Sequence, residues 1–357
     1  MNNSIKFNSV LNDFETAHSA IKLSSSPKNI GIGAHFFCNA KCIFCLGGDY
    51  PQFSIERYKM FFEEKLKDVL SKAENVDFHG YGELLLMPGI NSFIKRINKT
   101  LPNQTKTFFT NGINLKNKDF DGGKFNVIVS LHASDKKMHK YLTCTDAFDG
   151  IVENIKNAKK QKNLKISLYS VLNKINLCDM ENLVRLAAKL KIDSVIFRYL
   201  TIFEYKDFDL TVFADKKKTN DMIDRAAELA KKYGVHANMP RKFFSQDLIP
   251  KICRCPWNYI YAENQGTVNA CVFAGKHIGS LEKNSFLELW NSDRYKKLRK
   301  ELADHKPNEI CSKCPEYISA NIDKISSHIT FRPDTHKKMM EYAKKNMKKF
   351  NLTAKDI

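Results

Sequence analysis

No stretch of this chain is apolar for long enough to cross a bilayer, and its first residues hold no signal-like apolar core. These absences exclude a spanning helix and a secretory signal, and they point to a cytoplasmic protein with no membrane partner. Internal repeats and low-complexity tracts are also missing, which rules out solenoids and long linkers. Acidic residues are scarce: 39 Asp and Glu stand against 58 Lys and Arg, a formal charge of +19. That excess invites a nucleic-acid reading. The lysines, however, are spread along the whole chain on polar helix faces rather than gathered into a stripe, so nucleic acid ranks below a small anionic substrate. Disulfide pairing is not expected, because most of the ten cysteines fall into metal-type spacings.

What the chain has instead is a cysteine loop. Cys38, Cys42 and Cys45 lie in the run from His35 to Cys45, three and then two residues apart, with no fourth cysteine close by. A structural zinc site wants four ligands, usually from two paired turns. Three thiolates on a four-iron cluster leave one iron open to an outside molecule, which means chemistry rather than scaffolding.

The surrounding pattern is one of alternating strands and helices. Strands are expected over 29–36, 76–78, 107–112, 125–132, 164–171 and 194–200. Helical periodicity fills 55–70, 90–101, 146–160 and 180–190 between them. Six such units predict parallel βα crossovers that curl into an open barrel, with the site at the carboxyl ends of the strands. Cys38, Gly80, Asn111, Ser130, Asn173 and Arg198 all fall near those ends.

The C-x3-C-x2-C loop resembles that of the radical S-adenosylmethionine (SAM) superfamily, and the resemblance covers roughly residues 29–200. It implies an α/β fold, a partial (β/α)6 barrel, and a [4Fe-4S] cluster whose open iron binds the methionine end of SAM. The run Gly80-Tyr81-Gly82-Glu83 is similar to the family's Gly-Gly-Glu element, which bonds the SAM amino group through backbone and carboxylate. Tyr81 and Leu84 depart from the usual glycine and proline. By the same resemblance Phe44 packs beside the adenine and Ser130 contacts the ribose, with Asn111 and Asn173 at neighbouring strand ends. Many relatives carry an arginine about twelve residues after the Ser130 position. Leu142 and Thr143 stand there in this chain, so Arg198, Asn173 or Lys174 is left to hold the carboxylate. Arg198, with His132 second, is the candidate for orienting a substrate hydroxyl or assisting proton loss.

A second cysteine set lies downstream. Cys255 is followed by ten residues, Gly266, four residues and Cys271, and later by Cys311 and Cys314. A hairpin over 259–270 and a distant C-x2-C turn can close four thiolates around one centre, iron–sulfur or zinc. Cys253 is an alternative to Cys255. The order resembles the small α+β auxiliary-cluster domain of SPASM and twitch radical SAM enzymes. With no cysteine after Cys314, the shorter twitch form with one auxiliary [4Fe-4S] cluster fits better. Cys144 and Cys178 receive no role and are expected as small buried apolar residues.

The domains expected are an N-terminal extension (1–28), too short for a leader-peptide-binding domain, and the partial barrel (29–200). A connecting or capping segment (201–250), the cluster domain (251–320) and a basic C-terminal helix (321–357) follow. The resemblance implies SAM cleavage, hydrogen abstraction from the substrate and electron transfer to the auxiliary cluster. A twitch-type oxidoreductase acting on a sugar or cyclitol-type small molecule, anionic or nucleotide-linked, is the leading expectation. A flavodoxin or ferredoxin would donate electrons. Peptide or protein maturation is the rival within the superfamily, and a zinc-dependent nucleic-acid-binding protein the rival outside it.

Overall fold

The computed structural model describes residues 3–47, 52–245, 252–272, 277–312, 314, 322–330 and 332–357. Its frame is a sheet of strands β1 (Asn29–Gly33), β2 (Asn75–His79), β3 (Thr105–Thr110), β4 (Lys124–Ser130), β5 (Leu164–Leu172), β6 (Ser194–Tyr199), β7 (His236–Asn238), β8 (Tyr259–Ala262), β9 (Thr267–Asn269) and β10 (His277–Ser280). The spatial order is β10-β9-β8-β1-β2-β3-β4-β5-β6-β7. Strands β1 to β7 pair in parallel, each with the next. The six expected strands are therefore present, in parallel, with β3 passing to β4 through a helix-free connection, and a short seventh strand extends them.

The helices are α1 (Asn3–Ala17), α2 (Ile55–Tyr58), α3 (Lys67–Lys72), α4 (Ile90–Thr100), α5 (Lys136–Thr143), α6 (Phe148–Ala158), α7 (Met180–Lys189), α8 (Lys216–Tyr233), α9 (Cys255–Asn258), α10 (Phe286–Trp290), α11 (Asp293–Ala303), α12 (Glu309–Ser312) and α13 (Pro333–Lys345). The single helix expected over 55–70 is instead α2, a π-helical stretch Lys59–Glu64, and α3. Phe61 and Phe62 are both buried in that stretch. Residues 286–303 likewise form two helices, α10 and α11, because Ser292 caps a new start by accepting the Tyr295 N–H.

Strand alternation decides which side chains enter the barrel. Ile30, Ile32, Val76, Phe78, Phe108, Val127 and Val129 belong to the buried apolar core. Phe78 meets the ring of Phe93 on α4 at 5.5 Å, which puts this set on the helix-facing side. The intervening positions, Gly31 and Gly33 on β1 and Asp77 and His79 on β2, face the interior, and the last two line its cavity.

The auxiliary domain is not a separate body. Strand β8 pairs in parallel with β1, Asn29 opposite Tyr259 and Ile32 opposite Ala262, and β9 and β10 continue antiparallel. Gly31 leaves room for the β8 side chains: a Cβ there would lie 2.0 Å from the Tyr259 hydroxyl oxygen. The N-terminal extension is tied to the same region, since Asn12 donates to the Trp257 carbonyl at 2.8 Å. Buried Arg299 of α11 donates to the carbonyls of Pro256 and Ile21.

Candidate active site

A cavity of about 1670 Å³ fills the carboxyl end of the barrel. Cys38, Cys42 and Cys45 line it together with Phe44, Gly80, Tyr81, Gly82, Asn111, Ser130, His132 and Arg198. Eleven of the residues expected from sequence thus meet in one space. Two do not. Glu83 is fully buried behind the wall, where its carboxylate accepts from Thr110 Oγ1, Leu85 N and Asn111 N at 2.6 to 3.0 Å. Its place is to brace two strand ends rather than to face the cavity. Asn173 is also fully buried; its side chain receives the Ile175 N–H and donates to the Val171 carbonyl, capping the turn after β5.

The cysteine loop is held by neighbours that suit thiolates. Lys41 N and Ile43 N donate to the carbonyls of Thr143 and Leu142 at the end of α5. Ala40 N donates to Cys38 Sγ and Gly47 N to Cys45 Sγ, each at 3.4 Å, and Asn111 Nδ2 approaches Cys38 Sγ at 3.8 Å. Burial, and then the Cys45 and Cys38 thiols, push Cys42 up to about 12. Burial also raises Cys38. Crowded thiols of this kind are costly to ionise unless a cation neutralises them.

The glycine run is shaped by close contact. Gly82 has φ +96°, and a Cβ on it would meet the Phe36 carbonyl oxygen at 1.6 Å. Tyr81 O accepts from Phe36 N and Glu83 N donates to Phe37 O, so the run is laced to the strand end that carries the cysteines. The residue type was readable in sequence; the partner that demands it was not. Phe44 sits edge-on to His132 at 4.9 Å. The Nδ1 of His132 accepts from Val171 N at 3.2 Å, and burial lowers the ring to about 3. That histidine is a neutral, fixed wall of the Phe44 position. Arg198 donates to Asn238 Oδ1 on β7 at 3.1 Å.

Several lining residues carried no sequence signal. Arg241 follows β7, while Ile322, Ser327, His328 and Arg332 come from the C-terminal segment expected only as a basic helix. Glu263 and Tyr261 enter from the auxiliary hairpin, and His35 precedes the cysteine loop. All depend on tertiary placement of distant segments.

The downstream thiols are assembled as well. Cys255 is raised well above its ordinary value, first by its hydrogen bond with Cys253, then by burial and by Cys271 and Cys314. Asn308 Nδ2 lies 3.5 Å from Cys311 Sγ. Both Cys253 and Cys255 are therefore at this centre. Among the described residues, no three cysteine, histidine or carboxylate side chains converge as ligands of a single ion. Both donor sets are thiolates, the donor chemistry of an iron–sulfur cluster. Cys144 and Cys178, contrary to expectation, are exposed.

Comparison with known proteins agrees with this layout. Residues 34–187 match the model of the radical SAM superfamily, and residues 253–315 match the SPASM iron-sulfur cluster-binding domain. The chain is a radical SAM protein with a C-terminal SPASM domain. It is 24% identical over 323 residues to GTP 3',8-cyclase of Aquifex aeolicus, covering 81% of this chain and 97% of that one. It is 29% identical over 179 residues to a probable GTP 3',8-cyclase of Sulfurisphaera tokodaii, covering 49% and 56%. Among solved structures, Streptococcus suis SuiB bound to S-adenosylmethionine is similar at TM-score 0.59 and 17% identity, over 80% of this chain and 70% of that one. The anSMEcpe structure with bound AdoMet is similar at TM-score 0.60 and 17% identity, over 90% and 98%. The two domains of this radical SAM enzyme imply a [4Fe-4S] cluster with an open iron, SAM, and an auxiliary [4Fe-4S] cluster.

Proposed function

We propose that this enzyme oxidises a hydroxyl-bearing carbon of an anionic small molecule, of the sugar, cyclitol or nucleotide-linked sugar class, to a ketone. In this reading Cys38, Cys42 and Cys45 hold the open cluster. Gly80, Tyr81, Gly82, Phe44, Asn111 and Ser130 form the walls for SAM. Cys271, Cys311 and Cys314, with Cys255 or Cys253, hold the auxiliary cluster. Bound in these places, the cofactors would supply a 5′-deoxyadenosyl radical as hydrogen acceptor and an iron–sulfur acceptor for the second electron.

The observation that carries the reading is one cavity lined at once by the cysteine loop, the glycine run and three arginines, Arg198, Arg241 and Arg332. Guanidinium groups recognise phosphates and carboxylates by paired hydrogen bonds. An anionic ligand also accords with the likeness to GTP 3',8-cyclases, whose name states a nucleotide substrate. Arg198, pinned by Asn238 at the barrel rim, orients the substrate's charged or hydroxyl group; His132 keeps Phe44 in place.

The test is anaerobic reconstitution of the wild type and a Cys38/Cys42/Cys45→Ala variant, followed by SAM and a strong reductant. About eight irons per chain are expected in the wild type and about four in the variant, with 5′-deoxyadenosine from the wild type alone. Sugar phosphates and nucleotide sugars should stimulate its formation. Stimulation by peptides instead would transfer the enzyme to the maturases, and zinc at the downstream cysteines would remove the electron acceptor.

A further inference from the structure

One pair in the cavity joins the two domains. His35 Nε2 lies 2.8 Å from Glu263 Oε2, and the Tyr81 N–H donates to His35 Nδ1 at 3.0 Å. Because Nδ1 accepts, the ring proton belongs on Nε2, which donates to the carboxylate. The Tyr81 ring also stacks on His35, 5.7 Å between centroids and 15° between planes. His35 therefore holds both the peptide and the ring of the residue at the centre of the Gly80-Tyr81-Gly82 run.

The backbone around the pair is built to admit it. A Cβ on Gly33 would lie 2.5 Å from Glu263 Oε2, and one on Gly80 would lie 2.9 Å from His35 Nδ1. Neither glycine has positive φ, so close approach is what requires them. Glu263 belongs to the turn between β8 and β9, whereas His35 and Tyr81 belong to the barrel.

We propose that Glu263, a residue of the auxiliary domain, positions the SAM-binding run of the barrel through His35. The inference rests on the reading of this cavity as the SAM site. Glu263 is a positioning residue: it fixes the tautomer and tilt of the imidazole, and the imidazole fixes the Tyr81 peptide against which the methionine end of SAM would lie. Without the carboxylate, the Nε2 proton loses its acceptor, and the ring holds the Tyr81 N–H less firmly.

The experiment is SAM binding to the reconstituted two-cluster protein, without substrate, by equilibrium dialysis. Glu263→Ala should weaken SAM about five- to tenfold, the scale of one well-placed hydrogen bond. Glu263→Gln, whose amide oxygen still accepts from Nε2, should stay within about twofold of the wild type. His35→Ala should match Glu263→Ala, and the double variant should be no weaker than either single one, because both act on one peptide. Iron content and melting temperature report whether each variant folds; if Glu263→Ala loses iron, His35→Ala and Glu263→Gln carry the comparison. Unchanged affinity in folded Glu263→Ala or His35→Ala, independent additive losses, or a Gln variant as weak as Ala would overturn the proposal. A wild type that binds no SAM would instead overturn the parent reading, and this one with it.

Discussion

At the scale of single residues, the barrel interior carries costs that solvent would remove. Asp77 points inward from β2, and burial pushes its carboxyl up to about 6 despite a hydrogen bond from Thr107. A carboxyl raised in the folded state binds more protons there than when unfolded, so stability falls as pH rises from about 4 to about 6 and stays lower above. Asp77→Asn should therefore be more stable than the wild type by about 2–3 kcal/mol at pH 8, with the gain vanishing below about pH 4. Urea denaturation of both proteins at several pH values checks this; a gain independent of pH would refute the charge account. Gly82 is the opposite case, a residue whose replacement has nowhere to go. Gly82→Ala forces a positive φ and a clash with backbone, and should cost at least about 2–3 kcal/mol together with SAM binding. Denaturation midpoints and dialysis would measure both. The same scale explains the two site residues that lie behind the cavity wall. Glu83 and Asn173 were recognisable by type and spacing, but their hydrogen-bond partners, Thr110, Asn111 and Val171, decide which way they turn, and no local pattern encodes that.

At the scale of elements, short segments hold the reactive loop. Helix α5, absent from the sequence expectation, begins at Asp135, whose side chain accepts from Lys137 N and Met138 N. Its last carbonyls receive the amides of Lys41 and Ile43 in the cysteine loop. Asp135→Ala should destabilise the protein by about 0.5–2 kcal/mol and raise the rate of iron loss from the first cluster, read by chelator competition. Strongly periodic elements were legible: the buried set Met180, Leu183, Val184 and Ala187 is the helical stripe that predicts α7. Strands β7 and β10, three and four residues long, were not, because so few positions cannot establish an alternation. The break of 55–70 by a π-helical stretch was equally hidden, since Phe61 and Phe62, buried in that stretch, fit an ordinary helical pattern as well.

For the whole molecule, the SPASM match begins at residue 253, yet the sheet runs across that point. Hydrogen bonds run unbroken from β10 through β8 and β1 to β7, so the two domains share load. Removing the auxiliary cluster with Cys255→Ser/Cys271→Ser should lower the melting temperature of the entire protein in a single transition, since a ligand bound only to the folded state is lost. Calorimetry that found an unchanged barrel transition beside a separate early one would contradict this coupling. Parallel alternation and cysteine spacing revealed both halves; that β8 joins β1 could not be inferred, because nothing local to either strand names its neighbour across such a span.

The pairing of β8 with β1 also has a consequence in time. Asn29 waits for Tyr259, about 230 residues further along the chain. At synthesis rates of about 5–20 residues per second, that is roughly ten to fifty seconds during which one edge of the first strand has no permanent partner. A nascent barrel in that interval exposes an unpaired ladder that invites association with other chains. Slowing translation after the barrel is made should lengthen the exposure and lower soluble yield, whereas chaperones that shield strand edges should restore it.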